Sequence, residues 1–417
     1  MTPTYEVVPG DRVGLFQLGD TLWHILELLR EEKTAYPKVE VTWDDSNSRD
    51  SPILITIPHL TLHFAADSQL LTTITLTDLA TARLGLSLTY DTHLLCSSSQ
   101  KLTRGLIGKV LGPTYDSKGS KGELVYPGVA FSVAGQPAGG RDEVVDKVVV
   151  STKDGETVIP DDLLSCVIIP GKGVTLSFGS DTPVEIVVSE TTAQDLLLDL
   201  GAPLRRYWKE DERLEKMWGG SAARDPVGEA SGGEYFMNYF QYGLDFLISP
   251  HGLVEKVVAH SNIPGSALFQ RYAKCAWSIS TSSGPITSKS PLSAVSTAFS
   301  TSGVQTATPI ITPPSPPPAP LESLAVPVPS VGAGKKAKRR SVSASSDKSP
   351  EVVVEASNVP SGASTDVEGM TLDRVGEGGL EGVTVEMKSR LVGYEGLVVE
   401  EDLASGGISS VLVYRAM

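Results

Sequence analysis

Apolar residues recur along this chain with two periodicities, one typical of helices and one typical of strands. Two predicted helices follow Thr21 and Thr192. Their apolar positions share one face at helical spacing: Leu22, Ile25, Leu26 and Leu29 in the first, and Leu196, Leu197 and Leu200 in the second. A third helix is predicted over residues 102–111, where Gly112-Pro113 would stop it.

Strand-like runs with alternating bulky residues follow the first two predicted helices. After the first helix these runs cover 39–43, 53–64 and 70–76, and after the second they cover 235–241, 244–248 and 253–260. Each unit thus places one helix against a small antiparallel sheet. The pattern predicts an α+β fold of repeated helix-plus-sheet units, with a β-rich connection and a disordered insertion.

The repeats suggest a division of the chain into five parts. These are a first unit (1–95), a middle unit with a β-rich bridge (96–186), a second full unit (187–280), an insertion (281–383) and C-terminal strands that complete a sheet (384–417). The middle unit contains the same sequence pattern as the second full unit, because residues 124–131 resemble residues 242–246. Residues 394–399 repeat this pattern once more.

The predicted insertion differs sharply in composition from the rest of the chain. Between Trp277 and Tyr394 the only aromatic residue is Phe299, and Ser, Thr, Pro and Ala dominate. Such a segment cannot bury enough apolar surface to offset its chain entropy, so it is expected to be disordered.

Bulk composition narrows the classes of function. A net charge of -15 argues against nucleic-acid binding, which requires a basic surface that neutralises the phosphates. The three cysteines, Cys96, Cys166 and Cys275, lie far apart without zinc spacing, which favours reduced thiols in the cytosol. The N-terminus does not read as a signal peptide, and no apolar run approaches the roughly 20 residues that span a bilayer. The expectation is a soluble protein.

Local motifs for catalysis, metals or cofactors are weak. His59 and His63 lie four residues apart without a supporting Cys or carboxylate cluster, so a strand surface is favoured over a metal site. His260 and Asp245 could form a base and its orienting partner, but no nucleophile motif accompanies them. No nucleotide-binding glycine pattern is present. We therefore predict a non-enzyme without a cofactor.

A basic run within the predicted insertion is a candidate signal. Its charged members are Lys335, Lys336, Lys338, Arg339 and Arg340, followed by the candidate phosphorylation sites Ser341 and Ser343. The run could serve nuclear import, contact with anionic lipids or kinase docking, and phosphorylation would offset its charge. The bland alternative is a basic run without a specific role.

Residues 234–277 also resemble a known family. The positions that carry the resemblance are Asn238-Tyr239-Phe240, Gly243, Asp245, His260, Asn262, Pro264-Gly265, Phe269, Tyr272 and Cys275. A weaker match covers 194–203, followed by Tyr207, Lys209, Glu210 and Asp211. This pattern is similar to the phagosome assembly factor family, and the resemblance extends over roughly 5–279 and 387–415.

The resemblance implies a non-enzymatic adaptor or scaffold that acts with a β-propeller protein. It implies a cytoplasmic protein recruited to the phagophore assembly site during autophagy, with the Golgi and membrane traffic as a second association. Membrane contact would be indirect or through a phosphoinositide-binding partner, and no nucleic acid is expected. Two alternatives stay open: a lipid- or small-ligand-binding module, and a nuclear regulator that uses the basic run.

Candidate partner-binding residues lie in the predicted strand at 235–241 and in the charged loop at 209–216. Tyr239 and Phe240 should point to opposite faces, because side chains alternate along a strand. One is therefore expected in the core and the other toward a partner. The charged residues Lys209, Glu210 and Asp211 complete the candidate set.

Overall fold

The structure is a computed structural model that describes most of the chain outside the Ser/Pro-rich stretch. The described residues are 3–81, 85–114, 122–135, 139–153, 163–179, 182–209, 233–282, 284–300, 369–378 and 383–416. Within them strands far outnumber helices, and the strands form four sheets. The predicted α+β class is therefore wrong, and the protein is mostly β.

The first unit combines two sheets and two short helices. Its elements are β1 (Thr4–Val8), β2 (Arg12–Val13), β3 (Phe16–Gln17), α1 (Leu22–Glu31), β4 (Glu40–Thr42), β5 (Ile53–Ile57), β6 (Leu60–Phe64), β7 (Leu71–Leu76), β8 (Ser87–Tyr90), β9 (His93–Cys96), α2 (Arg104–Val110), β10 (Glu123–Tyr126), β11 (Val129–Val133) and β12 (Val145–Ser151). One sheet has the order β3-β2-β1-β8-β9 and the other β10-β11-β12-β7-β6-β5-β4. The β1–β8 pair is parallel.

The second unit has the same plan. Its elements are β13 (Leu163–Ile169), β14 (Gly173–Phe178), β15 (Val184–Val187), α3 (Ala193–Asp199), β16 (Arg205–Trp208), β17 (Tyr235–Tyr239), β18 (Leu244–Ile248), β19 (Val254–His260), β20 (Trp277–Thr281), β21 (Gly284–Thr287), α4 (Leu292–Ser300), β22 (Met370–Gly378), β23 (Val383–Tyr394), β24 (Leu397–Asp402) and β25 (Gly407–Tyr414). Its sheets have the orders β15-β14-β13-β20-β21 and β16-β17-β18-β19-β25-β24-β23-β22. The β13–β20 pair is parallel, as β1–β8 is in the first unit.

The chain is thus a tandem repeat of one topology, in which β22 is an additional edge strand of the second unit. Residues 96–151, which the sequence suggested as part of a middle unit, contain α2 and the strands that close the first unit's sheet. Residues 284–300 and 369–378 of the predicted insertion form β21, α4 and β22. The rest of that insertion lies outside the described residues, apart from a few positions at its ends.

Each of the first three helices begins at a threonine that caps it. Thr21 Oγ1 accepts a hydrogen bond from His24 N at 3.2 Å, and Thr103 caps α2 in the same way. Thr192 and Asp195 form a reciprocal capping box on α3. These helices have only seven to ten residues. They are too few and too short to form the helical layer that an α+β class requires.

Paired glycines hold a recurring backbone contact in both units. Gly10 N donates to Gly128 O at 2.9 Å, and Gly171 N donates to Gly396 O at 3.1 Å. Gly128 and Gly396 have positive φ angles of 82° and 71°. A Cβ on either would lie 2.3 or 2.2 Å from the facing backbone nitrogen, so only glycine fits.

Each unit has its own hydrophobic core, to which both of its sheets contribute. The first core includes Phe16, Phe64 and Phe131, and the second includes Tyr239, Phe246 and Trp277. The inner positions of the strands supply these side chains because they alternate with outward-facing residues. The candidate functional site lies on the other, outer face of the second unit's large sheet.

Candidate functional site

A row of polar side chains crosses the outer face of the eight-stranded sheet. Strand register places Asn238 opposite Asp245, His260 opposite Ser410, and Ser410 opposite Glu400. We call this row, with Ser389 on the neighbouring strand β23, the polar belt: Asn238, Asp245, His260, Ser410, Glu400 and Ser389. All six side chains are less than 10% exposed. Buried polar groups of this kind need partners, and most of the belt finds them within itself.

Asp245 is the hub at one end of the polar belt. Its carboxylate accepts hydrogen bonds from Asn238 Nδ2 at 2.7 Å, from the Tyr272 hydroxyl at 2.7 Å and from His260 Nε2 at 2.9 Å. Burial, followed by the charge of Asp245 and the hydrogen bond to it, raises the pKa of Tyr272. Because an ionised carboxylate only accepts, the Nε2 atom of His260 carries the proton in this contact.

The connection from β19 to β20, residues 261–276, covers this part of the sheet. The Tyr272 ring stacks on His260 with ring centroids 3.9 Å apart and meets Phe240 edge-on at 5.0 Å. Trp277 Nε1 donates to Ser261 Oγ at 2.9 Å and ties the start of the connection to β20. We call residues 261–276 the covering segment.

The covering segment also joins the two units. Gln69 and Asn262 exchange two hydrogen bonds, from Gln69 Nε2 to Asn262 O at 2.8 Å and from Asn262 Nδ2 to Gln69 Oε1 at 2.7 Å. Lys274 Nζ donates to Ala66 O at 3.2 Å. Burial, and then the neighbouring Lys289, lower the pKa of Lys274 to about 8.

A narrow cleft opens between the covering segment and strands β23 to β25. Its empty space is about 430 Å³, part of which is open to solvent. The lining residues are His260, Asn262, Ser266, Ala267, Leu268, Lys388, Ser389, Glu400, Asp402, Ser409 and Ser410. Glu400 accepts hydrogen bonds from the Ser389 and Ser410 hydroxyls at 2.8 and 2.7 Å. The lining therefore includes two carboxylates and one lysine.

Beside the polar belt, exposed arginines pair with aromatic rings. Arg205 lies 5.6 Å from the centre of the Tyr207 ring, and Arg271 lies 6.0 Å from that of Phe240. Strand register places Arg205 opposite Asn238 of the polar belt, and Arg271 directly precedes Tyr272 in the covering segment. Both guanidinium groups oppose the rise in the pKa of Tyr272. We call Arg205, Tyr207, Phe240 and Arg271 the basic–aromatic patch.

The sequence predicted that Tyr239 and Phe240 point to opposite faces of their strand, and the structure places the two side chains in different surroundings. Tyr239 is 0% exposed in the second core, and its hydroxyl donates to Gly201 O at 2.9 Å. Phe240 is half-buried and begins the 3-10 turn Phe240–Tyr242. Their roles in binding a partner stay a prediction.

The charged candidates are only partly within the described residues. Lys209 is exposed and forms a 3.1 Å salt bridge to Glu234. Glu210 and Asp211 lie outside the described residues. So do the basic run Lys335, Lys336, Lys338, Arg339 and Arg340, and the candidate phosphorylation sites Ser341 and Ser343.

The two histidines of the metal hypothesis occupy different local structures. His59 lies in the turn between β5 and β6 with a φ of 64°, and His63 lies on β6. Burial, and then Lys147, lower the pKa of His63. Among the described residues, no group of three or more His, Cys, Asp or Glu side chains could hold a metal ion.

Sequence reasoning missed Glu400, Ser410, Arg205 and Arg271. The first two lie within runs of consecutive polar residues, Glu400-Glu401-Asp402 and Ser409-Ser410, so strand alternation does not single them out. The sequence also does not show that another segment covers this face of the sheet. Arg271 directly precedes Tyr272 in the chain, whereas Arg205 comes near Tyr272 only through the fold, so local sequence carries no sign of that second proximity.

The fold and this face define a class: a tandem repeat of two β-sandwich units with a polar, partly covered outer sheet. A family model described as Phagosome assembly factor 1 matches residues 12–154 and 170–314, one segment in each unit. The chain therefore belongs to the phagosome assembly factor 1 family, which confirms the resemblance seen in the sequence.

One curated protein is similar to about two thirds of this chain. A PHAF1 protein of Arabidopsis thaliana is 24% identical over 323 residues, which cover 66% of this chain and 75% of the relative. No solved structure is significantly similar to the chain. None of the helices in the described part of the chain is long and apolar enough to cross a membrane.

Proposed function

We propose that this protein is a non-enzymatic adaptor in phagosome assembly that binds a β-propeller protein. Membership of the phagosome assembly factor 1 family is the observation that carries the proposal. The adaptor is cytoplasmic and is recruited to forming autophagosomes through its partner. Its contact with the membrane is then indirect.

The basic–aromatic patch is the docking surface in this proposal. It combines two exposed arginines with the exposed ring of Tyr207 and the half-buried ring of Phe240. Aromatic residues and arginines are enriched among the residues that dominate binding energy at protein interfaces. The chain as a whole has a net charge of -15, so a local basic patch would orient an acidic surface of the partner.

Two variants test this surface. The changes Phe240→Ala and Arg271→Glu alter the patch, whereas Tyr239→Phe alters only the adjacent core position and serves as the matched control. Each variant is expressed in cells as the full chain and scored for co-purification of the propeller protein and for its melting temperature.

The proposal expects the patch variants to lose about tenfold or more in partner recovery while Tyr239→Phe retains it. A melting temperature close to wild type would show that Arg271→Glu acts at the surface. Retained recovery of the partner by both patch variants would place the partner surface elsewhere. Failure to recover any propeller protein with the wild-type chain would overturn the adaptor role itself.

A further inference from the structure

Strands β4 and β16 occupy the same place in the two units. Each is the edge strand of its unit's large sheet, beside β5 and β17 respectively. Glu40 lies opposite the fourth residue of β5, and Arg205 lies opposite the fourth residue of β17. In both strands a tryptophan stands three residues further on, Trp43 in the first unit and Trp208 in the second. The register therefore makes the two strands counterparts, residue by residue.

The two tryptophans have different surroundings. Trp43 meets Phe269 of the covering segment edge-on, with ring centroids 5.1 Å apart, and so contacts the second unit. Trp208 instead pairs with a ring of its own sheet at 4.6 Å, and the described part of the chain contains no third unit. The chain that leads into β16 carries two leucines, Leu198 and Leu204, that are 83% and 55% exposed. A position used for contact between the units in the first repeat thus lies beside exposed apolar side chains in the second.

Strand β16 also carries positive charge that its counterpart lacks. The sequence Glu-Val-Thr at 40–42 is replaced by Arg205, Arg206 and Tyr207, all three of which are exposed. Arg206 lies opposite the core residue Met237, so the two arginines lie on opposite faces of the sheet. Neither guanidinium group forms an ion pair within the described residues, although the chain as a whole has a net charge of -15. Carboxylates of another molecule can therefore reach both.

The backbone of β16 offers an unpaired edge. Lys209 N donates to Glu234 O at 2.9 Å, which makes these two residues a hydrogen-bonded pair of the antiparallel ladder. Such pairs alternate along the ladder, so the backbone groups of Tyr207 point to β17, whereas those of Arg206 and Trp208 point away from it. No strand of the described chain pairs with that side. An exposed strand edge of this kind can accept an additional strand from another chain.

We propose that the open edge of β16 binds an extended segment of a partner protein in which two apolar residues stand beside two acidic ones. Antiparallel pairing would set the carboxylates opposite Arg205 and Arg206, and the apolar side chains opposite Tyr207 and Trp208. A second copy of β16 is a poor fit, since it would bring four arginines and no carboxylate to one pair of strands. The inference rests on the proposed function, because the segment would belong to the partner that docks on the basic–aromatic patch.

Three labelled peptides test strand addition on the full-length protein in the absence of the propeller protein. The first, acetyl-Thr-Val-Val-Glu-Glu-Thr-amide, has the proposed pattern. In the second, lysines replace the glutamates. In the third, prolines replace the valines, which keeps the charge but removes backbone donors. Fluorescence anisotropy should show saturable binding of the first peptide and binding weaker by about tenfold or more for the other two.

One variant and its control locate the site. Arg206→Glu reverses a charge of β16 that lies outside the basic–aromatic patch, and it should weaken binding of the first peptide by about tenfold or more. Lys38→Glu reverses an exposed charge just ahead of β4 and should bind as the wild type does. Hydrogen exchange measured by mass spectrometry should slow at residues 203–209 when the first peptide binds, because the amides of Arg206 and Trp208 gain partners. Melting curves identify any variant that does not fold.

Several outcomes would overturn the inference. These are no saturable binding to the wild type, equal binding of the lysine or proline peptide, unchanged affinity in folded Arg206→Glu, and unchanged exchange at 203–209. A dimer of the free chain whose formation slows exchange at 203–209 would assign the edge to a second copy instead. Failed peptide binding with retained co-purification of the propeller protein would sink only this inference. Lost co-purification with retained peptide binding would sink only the adaptor role.

Discussion

The repeated glycine contact gives the sharpest test of the architecture. In Gly396→Ala the new Cβ would lie 2.2 Å from Gly171 N and 2.3 Å from Gly171 Cα. The substitution must also hold alanine at a φ of 71°, which costs about 1–2 kcal/mol. Displacement of the Gly171 turn would break a hydrogen bond worth about 1 kcal/mol and add overpacking strain of about 1–3 kcal/mol. Together these contributions predict a loss of about 3–6 kcal/mol in the free energy of unfolding.

Gly406 provides the matched control within the same sheet. It has a φ of 64°, but no atom lies within 4 Å of its virtual Cβ, so Gly406→Ala should cost only the backbone strain of about 1–2 kcal/mol. Urea unfolding followed by tryptophan fluorescence measures both variants, and Gly128→Ala repeats the test in the first unit. If Gly396→Ala and Gly406→Ala differ by less than about 0.5 kcal/mol, the close backbone approach is not a structural constraint.

Two further predictions concern the second core and the contact between the units. Tyr239→Ala should lower the free energy of unfolding by about 3–5 kcal/mol, because it empties the buried site of the ring. Tyr239→Phe should lower it by only about 1 kcal/mol, through loss of the hydrogen bond to Gly201 O. Equal losses in urea titrations would refute the assignment of Tyr239 to the core. Lys274 has its pKa lowered from 10.5 to about 8, so the unfolded state binds more protons between these values. The stability of the wild type relative to Lys274→Met should therefore rise from pH 8 to 10.5, and a flat difference would show that the amine is solvated.

Local sequence patterns predicted the elements better than the architecture. The spacing of Leu22, Ile25, Leu26 and Leu29 placed α1 correctly, and all four side chains are buried. The three runs at 235–241, 244–248 and 253–260 correspond to β17, β18 and β19. These signals are local, since helical spacing and strand alternation both depend on neighbouring residues.

The sequence predicted that the C-terminal strands complete a sheet, but it gave no local signal of which distant strands pair, and the wrong fold class follows from this. β19 pairs with β25 across some 150 residues, and β1 pairs in parallel with β8. The stretch 147–188 was interpreted as a strand-like bridge between units, but its strands belong to two different units. The prediction treated one helix as the organising element of each unit, but these short helices do not form a layer of the fold.

The two units also show where function can diverge on a repeated frame. Their strand orders agree, but the first unit connects β7 to β8 through residues 77–86, whereas the second uses the longer covering segment 261–276. That segment supplies Tyr272 to the Asp245 hub, Asn262 to the contact with Gln69, and one wall of the cleft. One connection therefore links the polar belt, the neighbouring unit and the cleft. A displacement of this connection would be expected to alter the contact between the units as well, because Asn262 belongs to both.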